Sequence, residues 1–259
     1  MALVGQNFPD IDVEAINEMG DKINVNIFKK AKEEKKKILL FWYPKDFTFV
    51  CPTELHSFQE NLNEFENRNT IVIGASCDSA EVHFAWLNTS KDNGGIEGVS
   101  YDLIADTNRN LSSTLNILDG EIPNLDNPNY IKGDNVSYRA TYLIDEDGKI
   151  FHEGINHMPI GRNVNEFIRM IDAYSHVQKN GEVCPANWED GKEAEGKTTL
   201  AKFTTDEKYY ALIIGNNNYE KLEDLENAVN DAKDLEKVLR EKYGFETTLL
   251  IDEKSDESQ

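Results

Sequence analysis

Cysteine is scarce in this chain: three in 259 residues, at positions 51, 77 and 184. So small and odd a number excludes the disulfide framework of a small secreted domain. Reactive or buried thiols in a reducing, cytoplasmic setting are expected instead. Positive charge is also in short supply, with 27 Lys and Arg against 48 Asp and Glu and a formal net charge of −21. Such a surface repels phosphate backbones, which argues against nucleic acid as a partner and for a highly hydrated exterior. No apolar run is long enough to span a bilayer, and no apolar segment follows a basic start, so neither a membrane span nor a secretory leader is expected. Metal-ligand clusters are missing too. His152 and His157 are near neighbours, but no further ligands stand at a suitable spacing, and they are read as strand and loop residues. What is present, 39% hydrophobic residues over 259 positions, suits one large domain or one domain with an appendage.

The chain turns on the stretch Phe41-Trp42-Tyr43-Pro44-Lys45-Asp46-Phe47-Thr48-Phe49-Val50-Cys51-Pro52-Thr53-Glu54. A charged segment, Lys32 to Lys37, gives way at Ile38 to an apolar run that predicts a buried strand ending near Tyr43. Beyond Cys51, Leu55, Phe58, Leu62 and Phe65 recur at helical spacing. Cys51 is therefore expected in the first turn of a helix, where Pro52 loses no amide partner. Unpaired amides and the positive end of a helix favour a thiolate, which is the nucleophilic form of the side chain. Thr48 can offer its hydroxyl to the sulfur or to an incoming oxygen. Pro44 can fix the loop and shield the sulfur from water. A buried structural cysteine is the alternative for a lone Cys-Pro; Pro and Thr at these spacings favour a reactive one. The segment Cys51-Pro52-Thr53-Glu54 lacks the second thiol of a C-x-x-C reductase.

Pro44-x-x-x-Thr48-x-x-Cys51 resembles the peroxidatic motif of peroxiredoxins. The longer string FWYPKDFTFVCPTE is similar to that of typical 2-Cys peroxiredoxins of the bacterial alkyl hydroperoxide reductase type. The likeness runs to about Lys197. It implies a thioredoxin-like α/β fold, a central mixed sheet flanked by helices, with Cys51 as the attacking thiol. The octet Gly181-Glu182-Val183-Cys184-Pro185-Ala186-Asn187-Trp188 resembles the family's resolving-cysteine motif, which makes Cys184 the partner of Cys51 across a dimer interface. Arg139 matches the family's active-site Arg, whose planar charge stabilises thiolate and peroxide oxygen. Glu54 is expected to hold Arg139 by a bidentate pair. The resemblance further implies a homodimer that builds a decamer, a thioredoxin-like or flavoprotein disulfide reductase as partner, and no metal, haem or flavin cofactor. No Tyr-Phe pair follows the Cys184 arm, and the Gly94-Gly95-Ile96-Glu97-Gly98 loop carries one residue more than the family's Gly-Gly-x-Gly pattern. Relative resistance to sulfinic acid formation is therefore expected.

Along the rest of the chain, Ile11–Ile16 and Ile23–Ile27 alternate around Met19-Gly20-Asp21-Lys22 as a β-hairpin. Ile71–Ser76 is a second buried strand. Cys77 closes it as a structural residue, and Asp78 and Ser79 supply a helix N-cap. Tyr101–Ala105 is a third strand, with Asp106 or Thr107 capping the next helix. Asp119–Val136 is turn-rich and is read as an inserted surface loop. Tyr138–Asp145 and Lys149–Ile155 flank Asp147-Gly148 as a second hairpin. Val164, Phe167, Ile168 and Ile171 line a helix that ends near Gly181.

After Lys197 the register changes, giving an expected boundary between residues 1–197 and 198–259. Thr198–Lys208 is polar. Tyr209–Gly215 is a strand, Asn216–Tyr219 a turn, Leu225 to Leu239 an amphipathic helix, and Phe245–Ile251 another strand. Such a strand-helix-strand appendage normally needs a wider sheet. Its strings ALIIGNNNY and LENAVNDAKDLEKVLREKYGF resemble the opening of a caspase-like (metacaspase-type) peptidase domain. No His follows His176 and no Cys follows Cys184, so Cys-His chemistry cannot be assembled there, and the segment is read as non-catalytic. The sequence thus favours a thiol peroxidase. A peroxide-sensing regulator or scaffold for a caspase-like peptidase, and an oligomeric holdase, stand as alternatives.

Overall fold

The computed structural model describes residues 2–120, 132–192, 194–197, 210–215, 228–243 and 245–251. The chain divides into two compact units, Met1–Thr198 and Thr199–Gln259. The first is built on a seven-stranded mixed sheet. Strands β1 (Val13–Ile16) and β2 (Lys22–Val25) form the N-terminal hairpin, with Val13 opposite Val25. Helix α1 (Ile27–Glu34) follows, capped by the Asn26 side chain, which accepts from the Lys29 amide. Next come β3 (Lys37–Trp42), α2 (Cys51–Glu60), α3 (Leu62–Glu66), β4 (Thr70–Ser76) and α4 (Ala80–Leu87). The unit continues with β5 (Leu103–Ala105), α5 (Asn110–Thr114), β6 (Arg139–Ile144), β7 (Ile150–Asn156), α6 (Val164–Asn180) and the short pair β8 (Glu182–Val183) and β9 (Glu195–Lys197). Strand order is β2-β1-β5-β4-β3-β6-β7. Central β3 runs parallel to β4 and antiparallel to β6.

Every residue of β3 is buried. Ile38, Leu40 and Trp42 join one core, with Ile73, Ile104 and Tyr142. Leu39, Phe41 and Tyr43 join the other, with Leu55, Phe58, Trp86 and Phe167. A strand covered on both faces has no polar face to show, which is why it reads as one apolar run. The loop that leaves its end is anchored on two buried layers.

Several local expectations shift. Phe58 and Phe65 both reach the core, but Asn61 (φ −102°, ψ 9°) breaks the helix into α2 and α3. The third strand starts at Leu103, because Tyr101 turns its hydroxyl onto the Leu55 carbonyl at 2.8 Å. Helix α5 begins only at Asn110, after Arg109 in the left-handed region (φ 58°). Asp106 still satisfies its amides from a distance, accepting from Leu111 and Ser112 at 3.2 and 2.8 Å. Ser79 caps α4, whereas Asp78 accepts from the Asp46 amide instead. Helix α6 ends at Gly181, whose φ of 66° suits a residue without Cβ. Of the 119–136 insertion, residues 121–131 lie outside the described residues; its ends are tied by Asp119 N to Val136 O and a Leu118–Ser137 bridge.

The second unit contains β10 (Tyr210–Gly215), α7 (Ala228–Tyr243) and β11 (Glu246–Ile251), the two strands parallel and in register from Tyr210↔Glu246 to Gly215↔Ile251. Helix and sheet touch at Gly215, where an added Cβ would stand 2.6 Å from Ala232 Cβ. Ile213 and Ala232 are buried between them, while Tyr210, Leu212 and Ile214 are exposed on the other face of β10. The expected 198–208 connection and 216–219 turn lie outside the described residues.

Candidate active site

Strand β3 ends at Trp42 and delivers the chain into the loop 43–50. Its first residue, Tyr43, is pinned on both sides: its amide donates to Ala75 O at 2.9 Å, and its carbonyl accepts from Ser137 Oγ at 2.9 Å. Pro44 is buried beside it. The loop then turns sharply at Phe47, whose φ of 53° is rare for an aromatic residue. It enters α2 at Cys51, with Val50 in the capping position and Pro52 in the first turn. No side chain caps this helix end. Pro52 carries no amide hydrogen, and the amides of Thr53 and Glu54 donate to Val50 O at 3.1 and 3.4 Å, so it is the positive end of the helix dipole that favours an anion at Cys51. The thiol is fully buried.

Arg139 opens β6, the antiparallel neighbour of β3, and its Nη1 donates to Cys51 Sγ at 3.5 Å. The same Nη1 donates to Glu54 Oε2 at 2.5 Å, and Nε donates to the Met158 carbonyl at 2.5 Å. Arg139 and Glu54 are 3% and 4% exposed, so this is an internal charge cluster and not a surface ion pair.

The expected fork between Glu54 and Arg139 is not what forms. Arg139 meets only one carboxylate oxygen. The fork belongs to Arg162, which donates from Nε to Oε1 and from Nη2 to Oε2, both at 2.9 Å, while its backbone amide adds a contact to Oε1 at 3.0 Å. Arg139 is drawn away by Met158 O and the sulfur. Arg162 also spends Nη1 on Trp42 O, Ala140 O and Thr141 Oγ1, at 2.9 to 3.1 Å, and its guanidinium lies 5.1 Å from the Phe41 ring centroid. Burial pulls its pKa down from the usual guanidinium value, opposed mainly by Glu54.

Arg162 was not among the residues the sequence singled out. It sits in a polar loop before α6, with no periodicity to mark it. The available signal was indirect: a buried Glu needs more partners than one Arg supplies.

Thr48 also departs from expectation. Its hydroxyl proton goes to the Lys45 carbonyl at 3.0 Å, closing the loop's own turn instead of reaching the sulfur. Its oxygen keeps lone pairs for an incoming donor. A groove of about 420 Å³ lined by Thr48, Phe49, Pro52, Thr53 and His56 runs alongside.

Cys184 lies just past β8, half-buried, its thiol directed to Ala173 O of α6 at 3.6 Å; burial pushes its pKa up. The arm is anchored by Trp188, 2% exposed, whose carbonyl accepts from Arg169 at 3.1 Å. Cys77 sits 3.8 Å from Ser112 Oγ, and burial raises its pKa as well. Among the described residues no group of three or more His, Cys, Asp or Glu converges on a metal-sized site, and no helix is long and apolar enough to cross a membrane.

The AhpC/TSA family profile matches residues 4–153, and the profile of the C-terminal domain of 1-Cys peroxiredoxin matches 173–208. This chain belongs to the AhpC/TSA family and is a peroxiredoxin. It is 43% identical over 191 residues to alkyl hydroperoxide reductase C of Buchnera aphidicola subsp. Baizongia pistaciae, covering 74% of this chain and 89% of the relative. It is 36% identical to the chloroplastic 2-Cys peroxiredoxin BAS1 of Hordeum vulgare, covering 75% and 85%. Among solved structures, reduced 2-Cys peroxiredoxin of Plasmodium vivax superposes with a TM-score of 0.67 at 37% identity, covering 75% of this chain and 93% of the other. The thioredoxin-like fold expected from the sequence is therefore the fold of this chain. Residues 208–259 match a caspase domain profile; so short a match is a local likeness only.

Proposed function

We propose that this thiol peroxidase reduces hydrogen peroxide and organic hydroperoxides through Cys51. The observation that carries the assignment is the Arg139 guanidinium, 3.5 Å from the sulfur at an uncapped helix start. The thiolate attacks the terminal peroxide oxygen, the O–O bond breaks, and the departing alkoxide or hydroxide takes a proton and leaves as alcohol or water. Charge developing on the leaving oxygen is met by Arg139, already held in place by Glu54 and Met158 O. The Thr48 oxygen can accept a hydrogen bond from the peroxide proton, and Pro44 walls the loop from water. Cys51 is left as a sulfenic acid.

The thiol of Cys184 from a second copy then condenses with that sulfenic acid, forming the S–S bond and releasing water. Two electrons and two protons from an external dithiol, of a thioredoxin-like or flavoprotein reductase, restore both thiols. No prosthetic group is called on. The fitting compartment is the cytoplasm, and the fitting assembly is a homodimer that closes into a decamer. Residues 1–197 carry this chemistry, and 198–259, with their caspase-like stretch, take no part in it.

The test is peroxide turnover with Cys51→Ser, where equal rates would sink the assignment. After one equivalent of peroxide, non-reducing electrophoresis should show a linked dimer that Cys184→Ser abolishes. A linked dimer that survives this substitution would move the resolving role to another thiol.

A further inference from the structure

Beside the reactive loop lies a buried acid-base pair that the chemistry above does not use. His83 of α4 is wholly buried, and its two ring nitrogens both face acceptors: Nδ1 is 2.7 Å from Asp46 Oδ2, and Nε2 is 3.1 Å from the Ile104 carbonyl of β5. A carbonyl only accepts, so Nε2 carries a hydrogen. The Nδ1–Asp46 contact, at the length of a charge-assisted bond, needs a second proton between the two groups. The pair is thus one proton richer than a carboxylate beside a neutral ring. Remove that proton, and one ring nitrogen turns a lone pair onto an oxygen.

Asp46 belongs to the reactive loop, midway between Pro44 and Thr48. Its amide is also fastened, to Asp78 Oδ2 at 2.9 Å. The next residue is Phe47, which holds its left-handed backbone with an exposed side chain. A strained residue of this kind persists only while its surroundings hold it. Cys51 itself is fully buried, so no sulfur from another chain can reach it until the loop and the first turn of α2 move.

We infer that the His83–Asp46 pair is a proton-controlled latch that positions the Cys51 loop and sets how readily it opens for disulfide formation. The other titratable groups facing His83 are Tyr43, whose hydroxyl lies 3.5 Å from Nδ1, and Asp78. Burial drives Tyr43 well above its ordinary value, so it does not ionise in the working range. The pKa of His83 is raised, with burial opposed by Asp46 in hydrogen bonding and charge. Burial raises Asp46 as well, against the pull of His83, so the pair holds its shared proton through the mildly acid range, and with His83 raised the clamping fades as pH climbs through the raised histidine value. Opening therefore becomes easier toward alkaline pH. His83 and Asp46 are positioning residues, acting on Cys51 only through the loop.

The inference rests on the two-thiol cycle proposed above, and the experiment separates the two. In the reduced full-length protein, hydrogen exchange of residues 43–58 is followed from pH 5.5 to 9 and corrected for intrinsic chemistry against β4. Stopped-flow tryptophan fluorescence resolves sulfenate formation from disulfide formation in wild type, Asp46→Asn and His83→Gln. Exchange of 43–58 should rise through a single titration step above the free histidine value. At pH 6 both variants should form the disulfide on the order of tenfold faster than wild type, as loss of a modest clamp implies. Their profiles should lack the wild-type step, and sulfenate formation should change far less. Exchange that follows intrinsic chemistry alone, or the same disulfide pH profile in all three proteins, overturns the latch. A wild type without peroxide turnover overturns the peroxidase cycle, while the exchange measurement still decides whether the latch exists.

Discussion

Replacing Arg162 with Met is the sharpest available perturbation of the site, because it leaves the sulfur, Arg139 and the loop sequence untouched. Wild-type Arg162 donates twice to Glu54 from its side chain and once from its backbone, and ties Trp42 O and Ala140 O at the ends of β3 and β6. The Met side chain fills a similar volume and keeps the contact with Phe41. What it cannot do is answer the carboxylate, which is 4% exposed. Breaking a buried pair by removing one partner costs about 3–5 kcal/mol, since the surviving charge stays desolvated. Arg139 still meets Glu54 through one contact, which favours the lower end, about 3 kcal/mol. For a unit of this size, 1 kcal/mol corresponds to roughly 2–4 °C in Tm. The expected fall is therefore about 6–12 °C, read by differential scanning calorimetry of the reduced protein. Freed of one partner, Glu54 pulls harder on Arg139 and turns it from the sulfur, so the second-order rate with peroxide should fall as well. Arg162→Lys should recover only part of either loss, because an ammonium cannot fork. A Tm within about 2 °C of wild type, together with an unchanged peroxide rate, would refute the claim that this Arg organises the site.

Arg139→Met should lower the peroxide rate constant by about 10²–10³, the usual cost of removing a donor aimed at developing charge, with little change in the subsequent disulfide step; stopped-flow fluorescence separates the two. Cys77 and Cys184, both pushed up by burial, should be less ionised than a free peptide thiol at any given pH. In a Cys51→Ser background, alkylation by iodoacetamide followed by mass spectrometry should therefore show their labelling rates still climbing at a pH where the peptide thiol has levelled off. Labelling that levels off with the peptide thiol would contradict that ordering.

The parts of this site that the sequence made visible are those set by local rules. The apolar run into Tyr43, the helical spacing from Cys51 to Phe58, and Ser79 and Gly181 at helix ends are each written within a few residues, and the structure follows them. What stayed hidden is the partner choice of buried polar groups. Glu54 and Arg139 are 85 positions apart and do touch, yet which Arg takes the fork depends on Met158 O competing for Arg139, a fact of tertiary placement. The Thr48 hydroxyl likewise chooses between a sulfur three residues ahead and a carbonyl three residues behind, and the left-handed turn at Phe47 decides it. Nothing local marks His83 within its helix; its two ring nitrogens find Asp46 and Ile104 O on two other segments only in the folded chain.

The charges around the sulfur carry one more consequence. Arg139 and Arg162 bring two positive charges into a space that excludes water, and Glu54 supplies one negative charge to both. One positive charge is left over, and an uncompensated buried charge is costly. An anionic side chain at position 51 would complete the balance, since the Cys51 sulfur stands 3.5 Å from Arg139 at a helix start. A neutral side chain at position 51 is then worse for the fold than an anionic one, although the position is fully buried. Cys51→Ser should therefore melt below Cys51→Asp, against the ordinary rule that a buried carboxylate destabilises. The comparison belongs at pH 8 in a buffer free of phosphate and sulfate, so that no small anion substitutes. Should the Asp variant melt several degrees below the Ser variant, the cluster does not need an anion at this position, and Arg139 would have to act on the peroxide alone.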